Sequence, residues 1–233
     1  RVSVGRHYAA IVAVEAAGRV MDDYCARHSR RLGRMSLGLT LLFLGTVVVA
    51  ASPRETAQDL AAFARYSELT AYDRHFRKYS KRFFGVGFDW HFFKSQAVAE
   101  SNLREEARSG AGAVGLMQIM PSTFEEIQDR NPAISGPIDQ ARWNIAAGIW
   151  YDRQNFVVWE TVQPSQEKLK FMLGSYNAGR GSILRARAVA VEDGLDGTLW
   201  ESIALGLPEV TGGRSLETLA YVERVFGIRE VLR

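Results

Sequence analysis

Between residues 55 and 226 the apolar side chains recur three and four residues apart, and the two-residue alternation of a half-buried strand is almost absent. Tyr72, Phe76, Tyr79 and Phe83 form one such stripe, with Arg74, Lys78, Lys81 and Arg82 on other faces. Residues 55–84 are therefore predicted to be helical, broken near Ser67-Glu68, and to dock an aromatic side into a core. Gly85 and Gly87 end the segment. Ile145, Ile149 and Phe156 mark a helix over 143–156; Leu169, Met172, Leu173 and Tyr176 mark one over 165–176 that leaves through Asn177-Ala178-Gly179. Residues 181–191 read as a further helix before the breaks at Asp193-Gly194 and Asp196-Gly197, and Leu219, Tyr221, Val222 and Val225 carry the last, over 216–226. Ser122-Thr123-Phe124-Glu125, directly behind Pro121, reads as a capping box for a short helix reaching about Asp129. Asn131-Pro132 and Ser135-Gly136-Pro137 follow as turns. There is no internal repeat, and the expected class is mainly α.

One segment departs from this pattern. Residues 97–121, AVAESNLREEARSGAGAVGLMQIMP, run from an apolar helix into a Gly-rich loop. Asp89 is a good N-cap, and Phe88 and Phe93 have the spacing of a hydrophobic staple, so the helix is expected to start at Trp90. Phe93, Ala97 and Glu100 share a face, and the helix is expected to run out near Leu103, leaving Glu100 at its carbonyl end opposite the loop. There the negative pole of the macrodipole and apolar neighbours such as Met117, Ile119 and Met120 both disfavour the carboxylate and raise its pKa. A carboxyl that stays protonated near neutral pH can act as a general acid. The competing reading, a solvated glutamate at a helix end, is the ordinary fate of such a residue.

Charge is unevenly distributed. Residues 1–34 hold seven arginines against three acidic residues, whereas residues 35–233 hold 22 Lys and Arg against 23 Asp and Glu. The basic character belongs to the tail, and the globular part carries no footprint for nucleic acid. The single cysteine, Cys25, excludes an internal disulfide and a Cys-rich zinc site. His7, His28, His75 and His91 lack ligand spacing, and no metal or cofactor is expected; His91 reads as a surface or packing residue.

Arg27, Arg30, Arg31 and Arg34 precede an uncharged run over residues 35–52 that ends in Ala50-Ala51-Ser52. This fits a secretory signal starting at Met35 or, if the upstream residues are translated, a signal anchor with the arginines inside. A buried core helix fits the run less well, because the arginine cluster points to export. No cysteine follows the run, which argues against a lipoprotein anchor. The sequence begins at Arg1, which leaves open a fragment, a processed product or an over-extended start. Residues 8–17 could form a short helix without chemistry.

Glu100-Ser101, Ser109, Gly115-Leu116-Met117-Gln118-Ile119-Met120-Pro121 and Tyr176-Asn177-Ala178-Gly179 together resemble the lytic transglycosylase SLT family of the lysozyme-like fold. The resemblance covers roughly residues 80–228, and several motifs in the right order make it specific. It implies a peptidoglycan lytic transglycosylase in which Glu100 is the single catalytic acid and base on the β-1,4 bond between N-acetylmuramic acid and N-acetylglucosamine, giving a 1,6-anhydro sugar. Ser109 and Gln118 correspond to sugar-contacting positions, Met117 and Met120 to groove lining, and Gly115 to a point of close backbone approach. For the two methionines, plain core packing is an equal alternative. Tyr176 and Asn177 correspond to residues that position the acid or stabilise charge on the sugar. Glu217-Thr218 and Tyr221-Val222 match the closing motif, and Glu201-Ser202-Ile203 the segment before it, with residues 204–215 as an insertion longer than the compact family pattern.

The expected organisation is a basic tail over 1–34, a signal peptide or anchor over 35–52, a helical lead-in over 53–84 and a lysozyme-like catalytic domain over 85–233. The implied location is the periplasm or cell envelope, with glycan strands as partner, inner-membrane association through residues 35–52, and room for an envelope complex. Two enzyme readings differ only in product, because a hydrolytic muramidase could use the same fold. A catalytically silent glycan-binding or envelope-assembly module and a purely structural helical anchor are the readings from other classes; an intact Glu100 argues against the former.

Overall fold

A computed structural model describes residues 61–163 and 165–233. The stretches read as export signal, basic tail and early helix, and the first part of the lead-in, lie outside the described residues. After a 3-10 turn at Ala64–Ser67 come eight α-helices among the described residues. They are α1 Asp73–Phe84, α2 His91–Ser101, α3 Pro121–Arg130, α4 Ala141–Val158, α5 Ser165–Ala178, α6 Arg180–Glu192, α7 Trp200–Thr211 and α8 Arg214–Leu232. None is long and apolar enough to cross a membrane. Extended pairing is confined to two isolated bridges, Arg108 with Val114 and Val114 with Ile119, in the loop between α2 and α3.

α2 runs through the middle. Phe92, Phe93, Ala97 and Val98 are fully buried, as are its polar Ser95 and Gln96. It starts at His91 with Trp90 at the N-cap and no side-chain cap, one residue later than expected, so Asp89 is not the N-cap residue. Asp89 Oδ1 still accepts the His91 backbone N–H at 3.1 Å, and the Phe88 and Phe93 rings stack with centroids 5.4 Å apart. α8 packs along α2, with Phe226 edge-on to Phe92 and Arg229 Nε 2.8 Å from Asp89 Oδ2. On the other side the almost wholly buried Lys94 pairs with Asp73 of α1 at 2.8 Å and donates to the Leu69 carbonyl at 2.9 Å. α1 lies against α4, and Phe76 and Tyr79 of the aromatic stripe are buried there as expected.

Three further local expectations need correction. The helix carrying Glu100 stops at Ser101 because Asn102 and Leu103 take positive φ, 55° and 56°. Pro121 itself opens α3 at its first position, with no side-chain cap, so the Ser122 to Glu125 box does not form. Most of residues 204–215, read as an insertion, is helical: α7 packs against α6 closely enough that a Cβ on Gly206 would stand 2.5 Å from the Ala186 carbonyl oxygen.

Candidate active site

Glu100 is the penultimate residue of α2, and its carboxyl Oε1 accepts the Tyr221 hydroxyl of α8 at 2.6 Å. Burial drives its pKa up from 4.5 to about 7; the Tyr221 hydrogen bond pulls the other way, and the charge of Glu217 pushes it further up. Glu217 lies one turn before Tyr221 on α8, exposed, so the two residues share a helix face. Burial and then the Glu100 charge hold the Tyr221 phenol well above its ordinary range, so Tyr221 remains a proton donor to the carboxyl.

The loop from 102 to 120 is fastened to the helices by polar side chains. Ser101 Oγ donates to the Leu116 carbonyl at 2.9 Å, tying the end of α2 to the loop. The Asn144 amide of α4 receives the Met117 N–H at 2.7 Å and donates to the Val114 and Ile138 carbonyls at 2.9 Å each. Gly115, at φ +79°, passes so close that a Cβ would lie 2.6 Å from Asn144 Nδ2. Its close approach is thus to Asn144. Gln118 turns its amide inward, onto the Gly115 carbonyl at 2.9 Å and the Ala107 carbonyl at 3.3 Å. Ser109 is exposed and accepts the Ala113 N–H at 3.0 Å, closing the tip of the loop.

Met117 is fully buried against Gly148 of α4, so core packing replaces the groove-lining reading for this residue. Met120 is 39% exposed and remains available to a ligand. The Tyr176 hydroxyl donates to the Met117 carbonyl at 2.7 Å, which commits its hydrogen to the loop. Asn177 Oδ1 accepts the Thr218 hydroxyl at 2.7 Å, and Asn177 lines a hollow of about 200 Å³ with Arg214, Glu217 and Thr218. Glu100, Tyr221 and Glu217 are therefore brought together, with Tyr176 near enough for the Glu100 charge to raise its pKa further after burial has done so.

Behind Glu100 lies a polar layer that sequence reading missed. Asp152 of α4 is fully buried; its Oδ1 is 3.4 Å from Gln96 Nε2, one turn before Glu100 on α2. Burial, augmented by the Glu100 charge, raises the Asp152 pKa well above normal. Asp152 Oδ2 and Gln96 Oε1 are both buried without a hydrogen-bond partner. Asn155 follows, accepting two bonds from Arg180 at 3.1 and 3.2 Å. Asn144, Gly148, Asp152 and Asn155 recur at helical spacing along α4, and that polar or small stripe on a buried face was the available signal. Among the described residues no group of three His, Cys, Asp or Glu side chains is placed to hold a metal ion.

Comparison with known proteins bears on this arrangement. Residues 85–193 match the family model described as Transglycosylase SLT domain. A "Membrane-bound lytic murein transglycosylase F" from Desulfosudis oleivorans is 29% identical over 158 residues, 63% of this chain and 34% of that protein. A Vibrio cholerae protein of the same name is 31% identical over 157 residues, 65% of this chain and 27% of that protein. The chain thus spans about a third of these relatives' length. Among solved structures, the 70 kDa soluble lytic transglycosylase SLT70 of Escherichia coli superposes with a TM-score of 0.50 at 21% identity, covering 79% of this chain and 31% of that one. That likeness is one of fold, and it agrees with the mainly α class expected from the helical periodicity and with the lysozyme-like fold that the resemblance implies. The family match thus falls on the segment that holds Glu100 and its loop, and over residues 85–193 the chain is similar to the transglycosylase SLT domain.

Proposed function

We propose that this chain is a peptidoglycan lytic transglycosylase of the cell envelope, cleaving the β-1,4 bond between N-acetylmuramic acid and N-acetylglucosamine with Glu100 as acid and then base. The observation that carries the reading is a glutamate whose pKa is pushed up to about 7 by burial while a phenol stands 2.6 Å away to receive its charge. Such a group holds its proton in the resting site, and the Tyr221 hydrogen bond strengthens once the proton has left. The murein-directed names of the relatives support the substrate class.

In this mechanism Glu100 protonates the glycosidic oxygen as the bond to the anomeric carbon breaks. The C6 hydroxyl of the muramic acid then attacks that carbon and surrenders its proton to the Glu100 carboxylate. Glu100 is regenerated, water is not consumed, and the product carries a 1,6-anhydro ring. The tethered hydroxyl has a high effective concentration relative to bulk water. The substrate N-acetyl group and the polar atoms of the site meet the positive charge that develops. Met120, Asn177, Glu217 and Tyr221 are the residues assigned to the glycan, while Ser109, Gly115, Gln118 and Tyr176 shape the loop beside it.

A hydrolytic muramidase on the same scaffold is favoured by one observation, the exposed Glu217 carboxylate whose charge reaches Glu100. Glycosidases with two carboxylates use the second as nucleophile or as base for water. Asp152 does not offer this alternative, because it is fully buried. Mass spectrometry of products from purified sacculi in ¹⁸O water separates the readings. Anhydro-muropeptides without label are expected; labelled, reducing-end muramic acid as the main product would establish hydrolysis instead.

A further inference from the structure

α1 presents a cationic face that the site chemistry does not use. At the helical 100° per residue, Arg77, Lys81, Arg74, Lys78 and Arg82 fill one contiguous arc of about 140°, opposite the Tyr72, Phe76, Tyr79 and Phe83 side that enters the core. All five are exposed, and none has a carboxylate within ion-pair distance among the described residues. Their neighbours are aromatic faces: Arg77 lies over Trp90, Lys78 over Tyr79 and Arg82 over Phe83.

Two hollows open on this face. One, of about 290 Å³, is lined by Arg74, His75, Lys78 and Arg142. Burial first, then the positive charges of Arg74, Arg142 and Lys78, hold the His75 pKa down, against an upward pull from the Glu105 carboxylate. The other, of about 490 Å³, brings Arg77 and Lys81 together with Trp90 and with Val86, which is 85% exposed on the turn after α1. Leu69, 51% exposed, stands before the other end of the helix. The rest of the catalytic unit has the opposite sign: residues 85–233 hold 15 Lys and Arg against 19 Asp and Glu.

We infer that the exposed face of α1 docks on an anionic phospholipid surface, with the five cations facing lipid phosphates and Val86 and Leu69 entering the headgroup boundary. Charge complementarity selects a polyanion, and five cations on one exposed helix face draw this side of an otherwise net acidic unit to one. The exposed aliphatic residues at both ends of the helix decide between polyanions. A bilayer provides apolar depth for them, whereas the carboxylates of a glycan wall do not.

The test is sedimentation of the full chain with phosphatidylcholine vesicles, with and without about one third phosphatidylglycerol, alongside a variant carrying Gln at positions 74, 77, 78, 81 and 82. The unchanged apolar run and basic tail contribute equally to both proteins, so the difference between them reads out α1. The original chain should partition at least about tenfold more strongly than the variant onto the anionic vesicles, the gap closing on neutral vesicles and at high salt. Murein turnover in solution should be equal for the two. Should the five-site variant not fold, Lys78→Gln with Lys81→Gln should give an intermediate loss. Equal partitioning of a folded variant onto anionic vesicles would overturn the inference. So would a variant that keeps vesicle binding but loses binding to purified sacculi, which would make the wall the partner.

Discussion

Burial and the Tyr221 hydrogen bond act on Glu100 in opposite directions, and substitutions at Glu100 and around it test its role. Replacing it with Gln keeps the shape but removes the transferable proton. Glu100→Gln should lose nearly all murein turnover with an unchanged circular dichroism spectrum; activity retained within about tenfold, or about 1.4 kcal/mol of barrier, excludes it as the acid. Tyr221→Phe removes the hydrogen bond that pulls the Glu100 pKa down. The alkaline limb of the kcat/KM profile, set by loss of the acid's proton, should therefore move to higher pH, while turnover falls by about tenfold or more because the nascent carboxylate has lost its donor. A limb that stays in place or moves down contradicts the assignment. Asp152→Asn makes a complementary test. If Asp152 is already neutral, the limb should not move; if it were charged, losing that charge would lower the Glu100 pKa and shift the limb to lower pH.

At the scale of elements, the end of α2 and the loop after it behave as one unit because α4 holds the loop from behind. Asn144→Ala leaves the buried Met117 N–H and the Ile138 carbonyl without their partner and takes one of two donors from the Val114 carbonyl, which keeps the Ile119 N–H. Urea denaturation should show a loss of about 2–4 kcal/mol, and one below about 1 kcal/mol would show that the loop is held by packing alone. The same region shows what the sequence could and could not convey. The Phe88 and Phe93 pair and the placement of Glu100 near a helix end were legible because they depend on residues within two turns. Ser101, Asn144 and Asp152 were not, because their roles are fixed by partners on other elements. For Met117 the resemblance implied the groove and core packing stood as an equal alternative; the choice is made by Gly148, which no local pattern connects to it. The segment before α8 failed differently. Residues 204–215 were read as an insertion because they exceed the compact family pattern, although Trp200, Ile203 and Leu207 lie at helical spacing and are buried where α7 packs against α6.

For the molecule as a whole, the acid and the interface it sits in make stability depend on pH in two opposite ways. For Asp89, burial alone would raise the pKa, but hydrogen bonds from His91 and Arg229 outweigh it and leave it lowered. Its contribution is present above the unfolded pKa and is lost as pH falls through the folded one, so the clasp between α8 and the start of α2 weakens in acid. Glu100 has the opposite sign. With a folded pKa of about 7 against 4.5 unfolded, the native state binds the extra proton, so its contribution is full below about pH 4.5 and lost as pH rises through 7. The loss amounts to about 3 kcal/mol between pH 4 and 8, from the size of that shift. A melting profile of the full chain should therefore decline on both sides of a maximum between about pH 4 and 7. Glu100→Gln isolates the alkaline side, since the amide is neutral throughout. Its Tm should exceed that of the parent at pH 8 and approach it at pH 4.5, while the acid decline stays in place. Parallel profiles for the two proteins across pH 4.5 to 8 would mean that Glu100 is already ionised at neutral pH, and the proposed general acid would have no proton to give.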